Sequence, residues 1–546
     1  MIGIKNKWGD TRPGTKAVWL IAVALAVLLW LNQILALAPA KGKAQALEGS
    51  GLPPTLAVTT IALGPLRGFI ANGLWWRIIE QQDAGNYFEI IQLAEWITVL
   101  QPHNPKVWTY QAWNMAFNIC AEFPDPESRW KWIYKALCLL VDEGLDKNPG
   151  NQTIKNEIAN IFASKIGSHT ELGQQLFKRN WAALMARYMP DGSQANLKAL
   201  ADAPSTQAEL LRFPAVAALV DGERKLGLNL LHPNVPPTER WTAKQRRLLE
   251  ASTESKMAFA RVSMFFLAAE LRSKFKLDPK RMLYIDQQYG PFDWRLPQAY
   301  VAYWAATCGF QEYIEDKVNS QPLVRQAMQA SFMEGRLIYD PANGIFITTH
   351  NFRIIGKLHD YYDYLMDHHY SGLVSGMHKG FLENAAAVLY SSNETEAAKK
   401  VFEHYQADYA KGMDFDTFIA STLYKSLHNQ SFNNRRALIE SSLVQAFNWM
   451  ASGDVQRAIG YANFAQLIWR RNQQEFADKP GLLLPPFADL KRAAYEKVIN
   501  SDIAPVFKRR LATQSVSDTL PGEDAAPVYL GNTNPRNDTD TQSGGQ

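Results

Sequence analysis

The sequence predicts an all-α protein in which an N-terminal transmembrane helix is followed by stacked helical hairpins and a disordered C-terminal tail. Three observations predict it. An uncharged apolar run lies near the N-terminus, apolar residues recur at helical spacing through the long middle of the chain, and the last 34 or so residues are polar with almost no bulky apolar side chains. Alternating β-type runs are scarce.

From Ala17 to Ala38 the chain reads AVWLIAVALAVLLWLNQILALA without a charge, long enough as a helix to cross a hydrocarbon core of about 30 Å. Lys5, Lys7, Arg12 and Lys16 precede it against Asp10, and only Lys41 and Lys43 follow closely. That bias places residues 1–16 in the cytoplasm and everything beyond the helix outside it. A cleaved signal peptide ending near Ala38 and Ala40 is the alternative, but the apolar run is longer than such peptides use. Residues 39–55, small and containing Gly and Pro, form a juxtamembrane linker. The apolar stretch Leu56–Trp76 is broken by Gly64, Pro65, Arg67, Gly68 and Gly73 and is not expected to span.

The body divides into helical repeats over 56–200, a degenerate helical region over 201–310 and a second region with repeats over 311–512, leaving 513–546 as the tail. Breaks between helices are expected at Pro102–Pro105, Pro124–Pro126, Pro149–Asn151, Pro190–Gly192 and His232–Pro237. In Leu74–Trp108, Gly85 separates two helices, Tyr87 follows two residues later, and Pro102 ends the pair before Trp108 and Ala112 open the next. Ser441–Trp469 repeats the scheme with Ala446, Trp449, Gly453, Ala458 and Ala465. Leu382–Tyr405 does so with Ala386, Asn393 at the turn, Ala398 and Phe402. A small residue lets antiparallel helices approach, a ring fills the adjacent gap, and proline stops the second helix.

These landmarks resemble tetratricopeptide repeats, with a period near 34 residues. The strings Gly64–Cys120 and Tyr289–Ala306 are similar to segments of large, uncharacterised membrane-anchored repeat proteins of planctomycete- and verrucomicrobial-type bacteria. The resemblance implies a bacterial origin, a single anchor and helical repeats; stacked hairpins would form a curved groove for a protein or peptide, and the charge bias at the anchor places that groove in the periplasm, at the bacterial inner membrane. The resemblance implies no chemistry.

Composition supports a large buried core, with 47% apolar residues in 546. The 57 basic and 53 acidic side chains nearly cancel, so no field favours nucleic acid, and the scattered pairs Arg246–Arg247 and Arg435–Arg436 read as solvated faces. The lipid bilayer is met through one helix only. Cys120, Cys138 and Cys308 form no metal spacing and read as buried thiols, a Cys120–Cys138 bridge being the alternative. No cofactor motif and no hydrolase, zinc-protease or phosphate-loop signature is present, and the chain is read as a non-enzyme.

Candidate partner-binding residues are Asn114 and Asn118, one helical turn apart where a concave groove would run, and Asp293, Trp294 and Arg295 at a helix start before Pro297. The asparagines can instead bond a neighbouring helix, and Asp293 can serve as a cap. His359, Asp363 and Asp367 recur every four residues and can hold a divalent metal on one helix face. The plainer reading, which the pattern favours, makes that face solvated while Leu365 and the tyrosines point to the core. Two other functions stay open: an envelope enzyme using the His/Asp face, or a subunit of an envelope assembly held through its tail.

Overall fold

The computed structural model describes residues 67–225, 253–306, 321–368, 371–422 and 432–513, with a few single-position exceptions. The predicted span 17–38, the linker 39–55, the His232–Pro237 break, Cys308 and nearly all of the tail lie outside the described residues. Among the described residues no helix is long and apolar enough to cross a membrane. They form an all-α structure with one two-stranded sheet. The chain divides into two compact units, Met1–Leu337 and Ile338–Gln546.

In the first unit several helices begin at a proline, at a capping side chain, or at both. The hairpin α1 (Arg67–Asp83) and α2 (Tyr87–Leu100) is followed by α3 (Pro105–Trp113), α4 (Pro126–Cys138) and α5 (Gln152–Ile161). Asn104, Asp125 and Asn151 accept from the backbone N–H groups of Lys106, Ser128 and Ile154. Each such cap stabilises its helix by about 1 kcal/mol. The C-terminal ends of α3, α4 and α5 widen into π-helical turns at Asn114–Asn118, Leu139–Gly144 and Phe162–Ile166.

After these come α6 (Gln174–Ala186), α7 (Gln194–Ala201), α8 (Pro214–Lys225), α9 (Thr253–Lys274), α10 (Pro279–Tyr289), α11 (Pro297–Ala305) and α12 (Gln321–Glu334). Helix α11 is buried on every side, and its Tyr300 stacks on Phe162 at 5.1 Å and meets Trp181 edge-on at 4.8 Å. Offset and edge-on pairs of this kind add about 0.5–1.5 kcal/mol beyond burial. Lys178 of α6, almost fully buried, reaches Glu334 of α12 at 2.7 Å. Cys120 and Cys138 are free thiols.

Strand β1 (Arg336–Asp340) pairs with β2 (Ile345–Thr349). This is a departure from the purely helical expectation, and its signal is present in the sequence. Asp340–Gly344, DPANG, is a turn string between β-branched and aromatic residues, and Gly344 takes φ +69°.

The second unit continues with α13 (Ile355–His368), α14 (Ser371–Ser391), α15 (Thr395–Tyr409), α16 (Phe432–Ser452), α17 (Val455–Glu475), α18 (Phe487–Ile499) and α19 (Pro505–Thr513). Its core joins Ile439, Leu443, Phe447 and Met450 of α16 to Ala458, Ala462 and Ala465 of α17 and to Phe487 and Leu490 of α18. Arg510 donates to the Ala451 carbonyl at 2.9 Å, near the end of α16, where a cation also favours the helix dipole.

The three expected helix pairs, α1–α2, α14–α15 and α16–α17, are antiparallel neighbours closed by the same turn. Gly85, Asn393 and Gly453 take φ of +73°, +63° and +95°. The next N–H reaches back five residues, Asn86 to Gln81 O at 2.9 Å, Glu394 to Leu389 O at 2.9 Å and Asp454 to Trp449 O at 3.0 Å. That bond satisfies a carbonyl the helix leaves unpaired, and it needs the left-handed residue before it.

Candidate functional site

Of the two asparagines expected to face a groove, Asn114 is enclosed and Asn118 is half-buried. Asn114 is 1% exposed, and its Oδ1 accepts from Asn118 Nδ2 at 2.8 Å. The π turn that holds them keeps Asn114 in the interior of the first unit. The expected edge at Asp293, Trp294 and Arg295 is also corrected, since all three are buried. Arg295 binds both Asp293 oxygens, at 2.9 and 2.8 Å, and donates to the carbonyls of Pro190 and Leu337 at 3.0 and 2.9 Å. Asp293 Oδ2 also accepts from Leu337 N at 3.1 Å. Asp293 does not cap α11, whose first flanking residue is Leu296. The Trp294 indole donates to Asp286 at 3.0 Å. The pair thus ties three distant chain segments together, and Gly192 passes so close that a Cβ there would sit 2.7 Å from Arg295 Nη2. Arg435, expected on a solvated face, is buried with its guanidinium 4.4 Å from the Phe476 ring centre.

The polar constellation in the second unit lies on α13, α14 and α15. His359 and Asp363 share a face of α13, as their spacing requires. The solvated-face reading fails for His359: its side chain is 13% exposed while Asp363 is 49% exposed. Asp367 is exposed and stays outside the cluster. His378 of α14, fully buried, was not singled out in the sequence. His404 and Asp408 of α15 repeat the His-x-x-x-Asp spacing of His359 and Asp363, and the His404 ring centre is 4.0 Å from that of His359. This second copy of one spacing was the available signal.

A chain of hydrogen bonds runs through the cluster. Tyr409 OH donates to Ser375 O at 3.3 Å and lies 2.9 Å from His378 Nδ1, and His378 Nε2 is 2.9 Å from His359 Nδ1. Burial pushes the His378 pKa down to about 4, with the His359 charge adding to it. Burial likewise lowers His359, against the opposing pull of Asp363. Burial raises Asp363, which His359 partly offsets and Asp408 reinforces. Both histidine shifts favour the neutral imidazole, which has one lone pair. One donor atom from each of His359, Asp363 and His378 lies within 4.8 Å of the other two.

No protein-family model, curated protein or solved structure matches this chain.

Proposed function

We propose that this chain is a membrane-anchored scaffold of tetratricopeptide-like helical hairpins. It sits at a bacterial inner membrane through residues 17–38, with its body in the periplasm, and binds a protein or peptide there. The observation that carries the reading is the seating of one hairpin on the next in the second unit. At Gly460 of α17 an added Cβ would lie 2.6 Å from Asn393 N and 2.6 Å from Ser391 O, the turn of α14–α15. Asn393 Nδ2 also donates to Gln456 Oε1 at 3.1 Å. Hairpins that bury one another's exposed faces build a solenoid, because one pair alone leaves an apolar face in water.

Rings anchor most peptide-binding surfaces. Among the described residues Trp76 and Phe69 of α1 and Phe88 of α2 are the most exposed rings, at 77%, 74% and 62%. A photo-crosslinking residue at Trp76 of the full chain, in its native membrane, tests the proposal, with the exposed Asp221 as the control position. A discrete protein adduct at 76 and none at 221 is the expected result. Adducts with lipid alone would overturn it.

A further inference from the structure

The hydrogen-bond chain can run in either direction, because each ring nitrogen donates or accepts according to its tautomer, and a cation on His359 would select one of them. In the direction in which Tyr409 gives its O–H to Ser375 O, it accepts from His378 Nδ1, and His378 Nε2 keeps the lone pair. His359 Nδ1 must then donate to His378 Nε2. That leaves the lone pair on His359 Nε2, which faces Asp363 Oδ2 at 3.5 Å. In that direction two acceptors face each other across a gap longer than an ordinary hydrogen bond, as a bound cation requires.

An ion with bonds of about 2.0–2.1 Å to two tetrahedral ligands sets them about 3.3 Å apart. The 3.5 Å gap is close to that spacing. Asp408 and Asp360 add negative charge around it. The His378–Tyr409 pair behind His359 is the outer shell that ligating histidines use to fix ring and tautomer.

We propose that His359 and Asp363 of α13, joined by His404 of α15, bind one divalent transition-metal ion of the zinc class, with His378 and Tyr409 orienting the His359 ring. Imidazole donors with one carboxylate select zinc, cobalt or nickel over magnesium or calcium, which prefer oxygen ligands throughout. His404 is exposed, with its ring centre 4.0 Å from that of His359, and a rotation of its side chain would bring a ring nitrogen to the gap. The ion closes α13 onto α15 across α14, and water completes its coordination.

The test titrates Co²⁺, then Zn²⁺ in competition, into the full, untagged chain in detergent. Visible d–d absorption and calorimetric stoichiometry are the readouts, and helical circular dichroism confirms that each variant is folded. One equivalent of Co²⁺, displaced by Zn²⁺, is expected. His359→Ala and His404→Ala abolish it, Tyr409→Phe weakens it about 10–100-fold, and Asp367→Asn leaves it unchanged. No saturable uptake, uptake that survives His359→Ala or His404→Ala in a folded protein, or equal loss in Asp367→Asn would overturn the proposal. None of these outcomes bears on the hairpin scaffold.

Discussion

Arg295 shows what one side chain does in a closed interior. It neutralises Asp293 and satisfies two carbonyls from segments far apart in sequence. Removing one partner of a buried ion pair leaves an uncompensated charge, at a cost of about 3–5 kcal/mol. Arg295→Leu should lose that much stability in urea unfolding, while Arg295→Leu with Asp293→Leu should lose less, because no bare charge remains. Equal losses would show that the carbonyl contacts, not the charge, dominate. The sequence shows an acid and a base two residues apart, a spacing that is common on surfaces. Only the folded chain brings Pro190 and Leu337 to them. The same limit hid His378: a lone histidine in HKGFLENAAA has no local partner, whereas folding places it between His359 and Tyr409.

At the scale of the element, the hairpins were readable because their determinants are local. A glycine or asparagine at the turn, alanines one helical turn apart and a ring beside them define an antiparallel pair whatever lies around it. The turns give a direct check. Gly85→Ala and Gly453→Ala each put a Cβ into left-handed backbone and should cost about 1–2 kcal/mol, as melting or denaturant midpoints will show. Asn393→Gly should be neutral or mildly stabilising, and destabilisation there would mean that the Asn393–Gln456 contact outweighs the backbone strain. The helix starts at Pro105, Pro126 and Gln152 were legible for the same local reason. The π turns after α3, α4 and α5 were not, since their sequences read as ordinary helix.

The whole molecule is two compact units, each with its own buried residues. Gly460→Ala drives a methyl group into the backbone of the α14–α15 turn, an overpacking that costs about 1–3 kcal/mol. Hydrogen exchange should speed up in α14–α17 and stay unchanged in α5, α6 and α11. Equal acceleration in both units would show that they unfold together rather than as separate cooperative bodies.

The sequence by itself determined the helical class, the helix starts that follow its proline breaks at Pro102–Pro105, Pro124–Pro126 and Pro149–Asn151, and the three hairpin turns, because caps, prolines and left-handed turn residues act over a few neighbours. Tertiary structure alone decided which polar residues are enclosed. It turned the expected Asn114 and Asp293–Arg295 surfaces inward, left Asp367 in solvent, and joined His359 to His378 and His404 from two other helices. Burial and convergence depend on contacts between segments distant along the chain, and periodicity within one helix carries no record of them.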